Sequence, residues 1–198
     1  MTDETATMHD FGDGPVKAHR HPNGGGWVAD TASVAETAYV GPDAQVFDGA
    51  TISDYAEVRD RAKVSGTAQV SGRAKISGEA QVSGWAKISD WAQVRGRAKV
   101  HGHAKVSRRA AIYGDAKAYR WATVTDQARV YGQAQASGWT QIMNSAVLCE
   151  KAKASGSSRV QDHARMVGED RVSFFQTVHV VQGVQEKTYR YVKPPEDR

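Results

Sequence analysis

Apolar residues recur along most of this chain with a period of six. Written as V-x-G-x-A-x, the unit has its first position at Val28, Val34, Val40, Val46, Ile52 and Val58, and runs to Val172 through 24 units with no insertion. The fifth position is Ala from Ala32 to Ala164, with departures only at Thr140, Ser158 and, beyond that stretch, Asp170. The third position is Gly, Asp or Asn in most units, as at Gly66, Gly72 and Asp90. These residues tolerate the left-handed backbone of a tight corner. A period of six does not hold one apolar stripe on a helix of 3.6 residues per turn, so a helix is excluded. Ala-x-Val instead sends two side chains to the same side of a short strand. Strands this short have to stack on copies of themselves and share backbone hydrogen bonds between coils.

The departures from the repeat set the coil size. Ala118, Ala136 and Ala154 replace the branched first residue and lie 18 apart. Trp85, His103, Trp121 and Trp139 also lie 18 apart, as do Tyr55, Arg73, Trp91 and Arg109. Asp43, Arg61, Glu79, Arg97 and Asp115 change charge sign at each step of 18. A 12-residue coil would scatter all four sets. The expected fold is therefore all-β: a three-sided parallel β-helix, or β-solenoid, of about eight coils and roughly 38 Å in length. The repeat spans 27–172. Residues 1–26 lack the period and are expected to form an irregular segment and cap, with Trp27 as a lid on the first coil. The fifth-position rule breaks at Gln176, and "VSFFQTVHVV" and "KTYRYV" within 173–198 read as a closing hairpin followed by a tail.

Composition changes little in this picture. The 198 residues carry 26 Lys+Arg and 22 Asp+Glu, a formal net charge of +4, with the two signs interspersed. That suits a solvated surface and argues against nucleic acid as the partner. The single cysteine, Cys149, cannot form an internal disulfide and suits a reducing compartment. No signal peptide or membrane span is expected, so the expected location is the cytoplasm, or a virion if the gene is carried by a phage.

The segment "DFGDGPVKA", then "GGGWV" at 24–28, then units such as "AQVFDGA", resembles the YdcK-like β-solenoid proteins of bacteria and their phages. These form a branch of the hexapeptide-repeat class, and the resemblance covers about 10–172. It implies left-handed crossovers, an exception to the usual hand. In the wider class it implies homotrimers and acyltransferases with a histidine base between subunits. By residue type, His103 and His163 are the weak candidates for that base. The second position of the unit, where those acyltransferases favour Gly, is Ser, Arg or Tyr here. No loop interrupts the 24 units to build a pocket. The gamma-class carbonic anhydrases share the fold and hold zinc with three histidines, but their close histidine pair is not matched by His101 and His103. No metal site and no cofactor is expected. Cys149 is expected to be a spare surface thiol.

The expected working surfaces are faces. One carries Trp85, Trp121 and Trp139 beside Lys87 and Lys105, and a second carries Tyr55, Arg73, Trp91 and Arg109. Aromatic rows stack sugars or bases, or bury against a protein. The expectation is a non-enzymatic rigid scaffold or binding module for a protein or glycan partner, with an acyltransferase as the alternative.

Overall fold

A computed structural model describes residues 7–178 and shows an all-β chain built on three parallel sheets. Each sheet gains one short strand per coil: Gln69 faces Thr51 and Lys87, Lys75 faces Glu57 and Gln93, and Gln81 faces Lys63 and Lys99. The result is a solenoid of about eight coils. From Ala38 onward, the Ala and Val/Ile residues of the regular unit lie in a single buried cluster running its length. The first-position residues Ala118, Ala136 and Ala154 face one another in one sheet. Leu148 and Met166 occupy the third sheet in the coils begun by Ala136 and Ala154, and both are buried. The thin core thus exchanges volume between sheets within one coil.

The corners have a hydrogen-bond logic of their own. The N–H groups of the second, fourth and sixth positions donate to the following coil, as in Ser53 to Val70 O, Tyr55 to Gly72 O and Glu57 to Ala74 O, each at 2.9 Å. The third-position N–H points the other way. Where the preceding coil has Asp at that position, its carboxylate accepts this group: Gly66 donates to Asp48 (2.9 Å), Gly72 to Asp54 (2.8 Å), Gly78 to Asp60 (2.8 Å) and Arg108 to Asp90 (2.8 Å). The same aspartates hold positive φ, +58° at Asp54. Asp therefore does two jobs there: it tolerates the left-handed corner and ties it to the next coil.

At the first coil the structure departs from the expected irregular segment. β1 (Met8–Asp10) and β2 (Pro15–Arg20) form an antiparallel hairpin, and β2 pairs with β3 (Trp27–Ala29). Asp10 Oδ1 closes the turn by accepting from Gly12 N (2.7 Å) and Gly14 N (3.1 Å). Trp27 is not a lid on the core. It stands opposite Gln45 on the outer face of the first sheet. Its ring stacks on His9 at 4.2 Å and lies under the Arg20 guanidinium at 4.0 Å. An outward sixth position explains this, because the hairpin covers that face. At the other end the repeat continues past Val172. Thr177–Val178 adds in parallel to Arg159–Val160, so this part of the segment expected to form a hairpin extends the solenoid. The rest of that hairpin, 179–198, lies outside the described residues.

The charge ladder resolves into pairs. Arg97 meets Asp115 at 2.7 Å and Arg61 meets Glu79 at 3.7 Å, while Asp43 has no ion pair among the described residues. Cys149, expected as a surface thiol, is buried. It is only 1% exposed, and its Sγ lies 3.5 Å from Met166 O. The second position turns into the corner here, one coil beyond Tyr131. The neighbouring Cys149 thiol pushes the Tyr131 hydroxyl above its usual range, with burial adding to it.

Candidate binding face: a column of stacked rings

Three features of the repeat place rings in register. Each fourth position leaves the corner outward, each coil repeats that corner, and neighbouring coils sit one strand spacing apart. Trp85, His103, Trp121 and Trp139 accordingly form one continuous stack. Their centroids are separated by 6.1, 3.9 and 4.8 Å, with interplanar angles of 8°, 3° and 4°. Ring faces are thus occupied by one another along the column, and the outer edges meet solvent. Exposure follows this arrangement: Trp85 at one end and Trp139 at the other are 60% and 61% exposed, and Trp121 inside is 43%. Lys87 and Lys105 flank the column as direct neighbours in the second sheet, both exposed. The three tryptophans and two lysines expected on one face are therefore together. Thr67 and Ser157 continue the same column without a ring.

The second expected face is looser. Arg73 lies over Tyr55 at 5.9 Å, and Trp91 lines an open groove of about 410 Å³ with Asp90, Arg108, Arg109 and Asp126. Arg108 pairs with Asp126 across one coil. The Asn144 backbone N–H and that guanidinium hold the Asp126 carboxyl below its ordinary range against a smaller opposing effect of burial.

The histidines named as candidate bases stand apart. The His103 ring is sandwiched between Trp85 and Trp121, and His163 is exposed at a different corner. His101 stacks on Tyr119 at 5.2 Å, on the column preceding the tryptophans. Burial, with Lys117 and Lys99 nearby, lowers its pKa from the usual histidine value. Among the described residues no three His, Cys, Asp or Glu side chains gather in a metal-binding group. Arg95, Tyr113 and Tyr131, which the sequence sets 18 apart and groups with the second face, form a column of their own: Tyr113 lies on Tyr131 at 4.8 Å, and Arg95 lies over Tyr113 at 4.8 Å. Compared with known proteins, the chain matches no family model, no curated protein and no solved structure.

Proposed function

We propose that the protein is a non-enzymatic scaffold whose ring column, Trp85–His103–Trp121–Trp139, docks a protein partner. The carrying observation is the exposure of three tryptophans in one rigid, ordered row. Tryptophan is costly to leave in water and is enriched where binding energy concentrates. The repeat itself requires no large side chain at that column, since it accepts Thr67 and Ser157. The internal stacking favours a protein over a glycan. A sugar ring packs on a free aromatic face, and inside this column the faces are taken. Lys87 and Lys105 add a positive margin that suits acidic groups on the partner. The kinship with YdcK-like hexapeptide-repeat proteins, a homotrimer formed through these faces, and a place in the cytoplasm or a virion belong to the same proposal. No observation favours the acyltransferase alternative.

The test is the double variant Trp121→Ser, Trp139→Ser, using a residue this column already accepts. The far-ultraviolet circular dichroism should match wild type. Sedimentation velocity, a glycan array and capture from a host lysate then read assembly and binding. The expected result is loss of assembly or at least tenfold weaker capture of the protein that wild type retains. Unchanged assembly and capture would reject the face, and retained binding on the array alone would reassign the partner to a glycan.

A further inference from the structure

The ring column has one empty rung. Beyond Trp139 the same corner position falls on Ser157 and then on Phe175, which is 42% exposed. Two coil steps separate the Trp139 and Phe175 positions by about 10 Å. Within the column one coil step already holds two rings face to face, at 4.8 Å for Trp121 and Trp139. The register of 171–172 and 177–178 with the preceding coil puts the Phe175 corner one step beyond the small, exposed Ser157, which leaves the height of one planar ring between that corner and the Trp139 ring. The outer face of Trp139 is the face left open, in keeping with its 61% exposure against 43% for Trp121.

The surroundings select for charge. The corner segments 135–141, 153–159 and 171–177 contain Lys153, Arg159 and Arg171 and no Asp or Glu. Arg159 Nε donates to Gln141 Oε1 at 3.1 Å, which holds its guanidinium along the second sheet beside the gap. Lys153 and Arg171 line a cavity of about 370 Å³ on the other side of the corner. We infer that the gap at Ser157 is a slot for one aromatic side chain of a partner polypeptide, flanked in that partner by carboxylates. This rests on the ring column being the working surface and names what enters it. A nucleic-acid strand is the poorer fit, because it presents a series of bases and the column offers one opening. A sandwiched ring gains two offset-stacked contacts, and the cations draw the flanking acids.

The test uses the full chain with three probes: the peptide Glu-Asp-Tyr-Asp-Glu, its Leu-for-Tyr counterpart, and AMP. Binding is followed by calorimetry and by Trp139 and Phe175 ring resonances. The Tyr peptide should bind about tenfold tighter than the Leu peptide. Ser157→Trp fills the rung and should abolish that preference. Phe175→Ala removes one wall and should reduce it several-fold, and it carries the test if Ser157→Trp fails to fold. Equal affinities for the two peptides, or no binding of either, overturn the slot. Tighter binding of AMP than of the Tyr peptide overturns the polypeptide assignment. If the slot is wrong but the column is the docking surface, Ser157→Trp keeps partner capture while Trp121→Ser, Trp139→Ser loses it. If both variants behave as wild type, the docking reading itself fails.

Discussion

Asp54 separates the two roles of the corner aspartates. It sits at φ +58°, and its Oδ2 accepts from Gly72 N at 2.8 Å in the next coil. Asp54→Asn keeps a side chain suited to the left-handed backbone and an acceptor oxygen, so its cost should be small, less than about 0.5 kcal/mol, the low end of a net hydrogen bond. Asp54→Gly removes the hydrogen bond and keeps the backbone at ease. A net hydrogen bond contributes about 1 kcal/mol, and less here because the corner is exposed and water can reach the Gly72 amide. Asp54→Ala also removes the bond, and it keeps a Cβ in the left-handed region without the polar side chain that eases it there, so it should cost about 1–2 kcal/mol more than the Gly variant. The expected order of cost is Asn, then Gly at about 0.5–1 kcal/mol, then Ala at about 1.5–3 kcal/mol. Urea unfolding followed by circular dichroism gives the three values, provided the slope is unchanged. Exchange of the Gly72 amide gives the local readout, and it should speed up in Gly and Ala alike. Equal stability of the Gly and Ala variants would refute the backbone argument. A Gly72 amide as protected in Ala as in wild type would refute the tie between coils.

Other outcomes follow from the core and the cap. Ala74 is fully buried at a regular fifth position, so Ala74→Leu should overpack the coil and cost about 1–3 kcal/mol by the same unfolding assay. An unchanged midpoint would put that side chain elsewhere. Thr140 Oγ1 donates to Ser137 O at 2.7 Å and lies 3.2 Å from Ser158 Oγ, both in the core. Thr140→Ala and Ser158→Ala should therefore be non-additive in a double-mutant cycle, by about 0.5–1 kcal/mol. Burial and the neighbouring Arg20 lower the His9 pKa from its usual value. The folded hairpin then binds fewer protons than the unfolded chain. Its contribution is present above the ordinary histidine pKa of about 6.5 and is lost as pH falls through the lower folded value. The protection factors of the Met8–Asp10 amides, taken relative to the intrinsic exchange rate at each pH, should fall on acidification, and His9→Gln should flatten that response.

The architecture was legible because one small period is repeated with few departures. The departures carried the rest: the three small alanines and the ring and charge columns share one spacing, and that spacing is the coil. The N-terminal hairpin was not legible, because Pro15–Arg20 has no repeat and its fold depends on covering Trp27. The burial of Cys149 escapes the pattern for a related reason. The second position is outward by simple alternation, yet at Cys149 and Ser137 the corner turns it inward. The tryptophan face could be placed from spacing alone, but its stacking could not. Whether rings meet face to face or lie flat depends on rotamers that the repeat does not encode. The carboxylate ties were hidden for the same reason, since Asp and Gly are interchangeable in the corner pattern until the Oδ2 contact is seen.

The parallel stacking of coils also makes length and direction separable in this molecule. Removing one whole coil of sequence would shorten the rod and leave every column aligned. Removing a single hexapeptide would keep the Ala and Val pattern, and hence the core, but turn everything downstream by a third of a revolution about the axis. A one-hexapeptide deletion between Trp85 and His103 would therefore leave Trp85 on one edge and carry His103, Trp121 and Trp139 to the next. Insertions and deletions in such a rod act as rotations, and a recognition surface built along one edge is protected only in steps of a full coil.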